Sequence, residues 1–120
     1  YIQQVRAENP NTFLVDAGDD IQGTIMTDDL YNKTPEEPHP VVTAMNYMGY
    51  DAMTIGNHEF DFDVDNMERI FKMANFPVVC ANYNLDATVL KDIVKPYVVL
   101  EKYGLRIGVF GLGTEPSRKE

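Results

Sequence analysis

Short apolar runs alternating with segments of helical spacing leave this chain few folds to choose from. Residues 13–15 (Phe13-Leu14-Val15), 52–55 (Ala52-Met53-Thr54-Ile55) and 77–81 are too brief for helices and read as strands. Between the first two, Val41, Ala44, Met45 and Met48 recur at i, i+3, i+4, i+7. Pro40 suits the first position of that helix and Gly49 the position just past its end. Between the second and third, Met67, Ile70, Phe71 and Ala74 mark another helix, with Asp65 as the expected cap and Glu68 reaching back to it. An earlier helix is expected over residues 1–9, stopping at Pro10. Strand and helix in this order imply right-handed crossovers and parallel pairing. Residues 97–101 and 105–110, joined by Lys102-Tyr103-Gly104, read as an antiparallel hairpin that would make the sheet mixed. The fold class expected is therefore α/β. Residues 24–40 read as an exposed loop with one helical turn near 29–31, residues 82–95 carry no clear pattern, and 111–120 read as loop.

A chain of 120 residues fits one ordinary domain or part of a larger one. Hydrophobic content of 44% and charged content of 24% are globular values, so a core can form. The net charge of −9 argues against a nucleic-acid polymer as partner, because no basic excess exists to displace counterions. A small phosphate would be repelled as well, unless cations at the site reverse the local field. Cys80 is the only cysteine, which rules out an internal disulfide and a cysteine zinc site and suits a small buried side chain. No apolar run approaches the ~20 residues that span a bilayer. The chain opens on Tyr1 rather than Met, and reads as beginning partway through something longer.

Ligands in α/β folds collect where strands end. Gly18-Asp19 and Gly56-Asn57 occupy equivalent places, each in a glycine-led turn just past a strand, and parallel strands would bring them together. A divalent metal shared by Asp19 and Asn57 is the economical explanation; ordinary turns are the other, since Asp, Asn and Gly dominate turns. His58 and Asp61 sit where a carboxylate could hold an imidazole and raise its pKa, readying it to donate a proton. His39, in the proline-rich segment Pro38-His39-Pro40, is expected to face solvent. Asp61, Asp63 and Asp65 alternate as in a calcium-binding EF-hand, but Asn66 and Lys72 stand where Gly and Glu belong. Gly111-Leu112-Gly113 lacks the third glycine and the helix of a dinucleotide loop.

Gly18-Asp19 with Gln22-Gly23, followed by Gly56-Asn57-His58-Glu59-Phe60-Asp61, resembles the calcineurin-like metallophosphoesterase superfamily. Within it the pattern is similar to the 5′-nucleotidase and 2′,3′-cyclic-nucleotide phosphodiesterase branch, as is the turn Gly111-Leu112-Gly113-Thr114. The resemblance implies a four-layer αββα sandwich and two divalent metal ions, Mn, Zn or similar, with Asp19 bridging them and Asn57 binding one. It implies that His58 meets the phosphate or leaving group rather than a metal, and that Asp61 orients His58. Asp63 departs from the family, which has Gly there. The activity implied is metal-dependent hydrolysis of phosphate esters, foremost of nucleotides; a sulfur-ester hydrolase of the same fold and a non-catalytic interaction domain are the alternatives. The superfamily's Asp-x-His motif, its later histidine ligands and the nucleotide-binding domain are absent. Residues 1–120 are therefore expected to form an incomplete metallophosphoesterase domain with little activity alone. The partner implied is a small phosphorylated substrate, and the location implied is periplasmic, cell-wall or extracellular.

Overall fold

A computed structural model describes residues 1–32 and 36–114. Residues 115–120 of the expected terminal loop and 33–35 of the expected loop at 24–40 lie outside the described residues. Helix α1 (Ile2–Glu8) leads into strand β1 (Val15–Asp16), then come α2 (Pro40–Met48), β2 (Ala52–Thr54), α3 (Val64–Phe71), β3 (Val78–Val79) and β4 (Val94–Lys95). The four strands pair in parallel in the order β1-β2-β3-β4. Strands β5 (Tyr97–Lys102) and β6 (Leu105–Phe110) pair antiparallel in a separate two-stranded sheet. The expected α/β class holds, but the mixture of directions lies between two sheets, not within one. Strand β4 had no legible signal: two residues are too few to show alternation.

The core is built from one face of α2 and one face of α3 against the parallel sheet, whereas α1 buries no residue. Val42 and Met45 of α2 and Met67, Ile70 and Phe71 of α3 are buried with Met53, Ile55, Val78 and Leu90. Each such side chain contributes roughly 1.5–3 kcal/mol. The buried face of α2 lies one residue round from the one expected, and Ala44 is exposed. Gly49 ends α2 at φ 71, a left-handed position where a side chain would be strained. Helix α3 is capped by Asp63, whose carboxylate accepts from the Asn66 amide at 2.7 Å. Asp63 thus replaces Asp65 as the cap, and Glu68 pairs with Lys72 at 2.8 Å instead of reaching back. Tyr103 and Gly104 turn the hairpin with φ 49 and 80, the positive pair a two-residue turn requires.

The segment expected as an exposed loop is exposed at many of its described residues but turns three polar side chains inward. Residues Met26–Tyr31 form a π-helical turn, and Thr27, Asn32 and His39 are buried. His39 corrects the sequence reading most sharply, being fully buried instead of solvent-exposed. Its burial depends on partners distant in sequence, which local composition does not reveal.

Candidate functional site

Parallel register sets the turns after β1 and β2 side by side, because Asp16 is opposite Met53. The two turns pack backbone to backbone. A Cβ on Gly18 would overlap the Gly56 amide, and a Cβ on Gly56 would overlap the Asp19 amide and carboxylate. Only glycine permits this approach at both places. Asp19 itself adopts φ 69, a strained value for a residue with a side chain. One oxygen of its carboxylate accepts from the His58 amide at 2.8 Å. Asp19 is exposed and Asn57 half-buried at the start of a 3-10 turn, His58–Asp61. Across that turn His58 Nδ1 donates to Asp61 Oδ2 at 2.7 Å. This bond raises the His58 pKa above its ordinary value, with the charges of Asp61, Asp19 and Glu59 adding to it. The structure therefore brings Asp19, Asn57, His58 and Asp61 into one region at the sheet's carboxyl end.

Glu59 is the residue that sequence reasoning missed. It is fully buried, and its carboxylate accepts from the Gly56 amide at 2.6 Å and from the Asp19 and Asp20 amides at 2.9 Å each. One side chain thus ties both turns together with charge-assisted bonds. The available signal was an acidic residue between His58 and Phe60 in a motif adjoining two glycine turns, whose free amides needed an acceptor.

Crowding of acids marks the same place. Asp20 is pushed up to about 7, chiefly by burial and then by its hydrogen bond and charge interaction with Asp16, with Glu59 and Asp19 adding repulsion. Asp20 Oδ2 is buried without a hydrogen-bond partner. Hard oxygen donors in a field of negative charge suit a divalent cation. The donor set is partial, however: among the described residues no group of three or more His, Cys, Asp or Glu is arranged to hold a metal ion.

Two further turns border the site. Gly111, at the end of β6, accepts from the Ala81 amide at 2.8 Å, and a Cβ there would strike Thr54 and the Val79 carbonyl. Asn82 clamps Gly113 from both sides, donating to its carbonyl at 2.7 Å and accepting from its amide at 2.8 Å. The Tyr83 ring meets Phe60 edge-on with centroids 5.4 Å apart. These contacts seat the Gly111-Leu112-Gly113-Thr114 turn beside the His58 motif.

No family model matches the chain. It is 41% identical over 109 residues to the trifunctional nucleotide phosphoesterase YfkN of Bacillus subtilis, a match covering 84% of this chain and 7% of that protein. The solved calcineurin-like phosphoesterase structure of YfkN superposes with a TM-score of 0.81 at 31% identity, over 97% of this chain and 39% of that one. The chain belongs to the calcineurin-like phosphoesterase superfamily, in its 5′-nucleotidase branch. Rat 5′-nucleotidase is 38% identical over 114 residues, 92% of this chain and 19% of that protein. The 5′-nucleotidase precursor of Thermus thermophilus superposes with a TM-score of 0.84 at 33% identity, over 97% of this chain and 22% of that one. The chain thus spans a minor part of the calcineurin-like phosphoesterases it matches. That superfamily generally uses divalent metals.

Proposed function

We propose that the full-length protein hydrolyses phosphate esters of nucleotides with the help of two divalent ions, Mn, Zn or similar. Asp19 and Asn57 would hold them, His58 would serve the reaction and Asp61 would position His58. The observation that carries this reading is the backbone contact of the two glycine turns, which sets the Asp19 carboxylate against the His58 amide. The relatives' names, nucleotide phosphoesterase and 5′-nucleotidase, support a nucleotide as the substrate.

When bound, the ions supply the positive charge that polarises a phosphoryl group and acidifies water. Asp19 and Asn57 offer hard oxygens to them, and the acids around Asp20 gain a cation that relieves their mutual repulsion. Because Nδ1 of His58 is committed to Asp61, Nε2 is the atom that faces the leaving oxygen and donates a proton to it. Glu59 accepts no ligand role; it fixes the turns so that Asp19, Asn57 and His58 keep their places.

Two donors cannot satisfy two ions that each want four to six. The remaining ligands, an Asp-x-His motif and further histidines, therefore belong to other parts of the full-length protein, and residues 1–120 are an incomplete domain with little activity alone. Among the described residues no helix is long and apolar enough to cross a membrane. Relatives such as the snake venom 5′-nucleotidases support an exported full-length protein. The test is hydrolysis of a nucleoside monophosphate by the full-length protein with added Mn²⁺ or Zn²⁺, beside the 120-residue chain. Metal-dependent turnover by the first and little by the second is expected. Turnover without metal, or equal turnover by both, would overturn the reading.

A further inference from the structure

Behind the Asp19 turn a buried polar network ends on a single backbone carbonyl, that of Ile21. Asn32 Nδ2 donates to it at 2.7 Å and His39 Nε2 lies 3.2 Å from it. A carbonyl only accepts, so His39 Nε2 carries a proton and donates it. The network continues outward: Asn66 Nδ2 donates to Asn32 Oδ1 at 3.0 Å, and Arg69 donates to Asn66 Oδ1 at 2.9 Å and to the Tyr31 carbonyl at 2.8 Å. Burial holds His39 below its ordinary pKa, and the Arg69 charge lowers it further, against the Ile21 bond. His39 Nδ1 has no hydrogen-bond partner, so among the described residues the ring's contacts are the bond to the Ile21 carbonyl and an edge-on approach to Tyr31 with centroids 6.3 Å apart.

From this convergence we infer that His39 and Asn32 are positioning residues for Asp19: they grip the carbonyl of Ile21 while Glu59 grips the amides of Asp19 and Asp20. The strained Asp19 backbone at φ 69 is thereby held from both sides. A turn in a sparsely populated conformation persists only where its surroundings fix it. The grip on Ile21 comes from the segment before α2, with Asn66 of α3 bonded behind Asn32, and not from the motif. The consequence for metal affinity rests on the function proposed above, whereas the backbone claim stands apart from it.

Hydrogen exchange of backbone amides in the metal-free chain tests the backbone claim. A Gln at position 39 carries an amide nitrogen about as far out as imidazole Nε2, and an Asn falls short of it. In His39→Asn, and separately in Asn32→Ala, the Asp19 and Asp20 amides should exchange about tenfold faster, while Met53 and Cys80 in the sheet keep their protection. His39→Gln should restore slow exchange. Unchanged exchange at Asp19 and Asp20, or loss spread equally through the sheet, would overturn the inference. In the full-length protein, Mn²⁺ affinity should fall about tenfold in His39→Asn and recover in His39→Gln. Unchanged affinity would overturn the link to the metal. A wild-type protein that binds no Mn²⁺ would instead sink the proposed function, and the exchange result would still decide the backbone claim.

Discussion

The parallel sheet and the β5–β6 hairpin hold themselves together by opposite means. Strands β1, β3 and β4 have two residues each and β2 has three, so ladder bonds are few. The carboxyl end of that sheet is held instead by side chains that reach backbone groups: Glu59 on three amides, Asn32 and His39 on one carbonyl, Asn82 on Gly113. The hairpin has six residues per strand in an unbroken antiparallel register, yet Tyr97, Val99 and Phe110 are exposed on one face. Regular backbone pairing makes a robust ribbon, whereas side-chain clamps fix irregular turns in one conformation. The second is what a site built on turns requires.

The largest effect should come from removing the central clamp. Glu59→Ala strands three amides in partly buried surroundings and should cost about 3 kcal/mol in denaturant unfolding. A loss below about 0.5 kcal/mol would mean that the turns hold without it. Next, Gly56→Ala forces a Cβ into Asp19 and should cost about 1–3 kcal/mol. An unchanged Asp19 conformation in a structure of that variant would break the argument from close approach.

Acid should weaken the clamped end through His39. Its folded pKa lies below 6.5, so its contribution to stability is complete above pH 6.5 and lost as pH falls through the folded value. Asp20 acts in the opposite sense, since its folded pKa of about 7 favours the fold as pH drops toward 3.8. Comparing the wild type with His39→Gln cancels Asp20 and isolates the imidazole: the variant should lose less stability between pH 6.5 and lower pH in thermal melts. Parallel curves would contradict it. The smallest effect belongs to the hairpin's exposed face, where Phe110→Thr should stay within about 0.5 kcal/mol in the 120-residue chain. A larger loss would show that this face is packed and the contrast overdrawn.

How much of this could be read beforehand depended on whether the physics was local. Pro40 and Gly49 frame α2 because their backbone preferences act at their own positions, and Tyr103-Gly104 turns the hairpin for the same reason. Gly18 and Gly56 announced close approach, and their neighbours marked the turns worth watching. The α3 cap was misplaced because Asp63 and Asp65 are both sound caps, and geometry alone chose the one facing the Asn66 amide. Among the buried polar residues, Glu59 left a signal only in its place beside two glycine turns, and Asn32 and His39 left none. Those two are buried because the Ile21 carbonyl, distant in sequence, needs donors, and a linear pattern carries no trace of that pairing.

The most direct measurement is the amount of Mn²⁺ bound per full-length protein in the wild type and in three variants. If the turns after β1 and β2 form one metal centre served by His58, Asp19→Ala should lose both ions and Asn57→Ala should bind less. His58→Ala should keep its full complement while turnover falls. Full metal content in Asp19→Ala, or metal lost from His58→Ala, would contradict that arrangement.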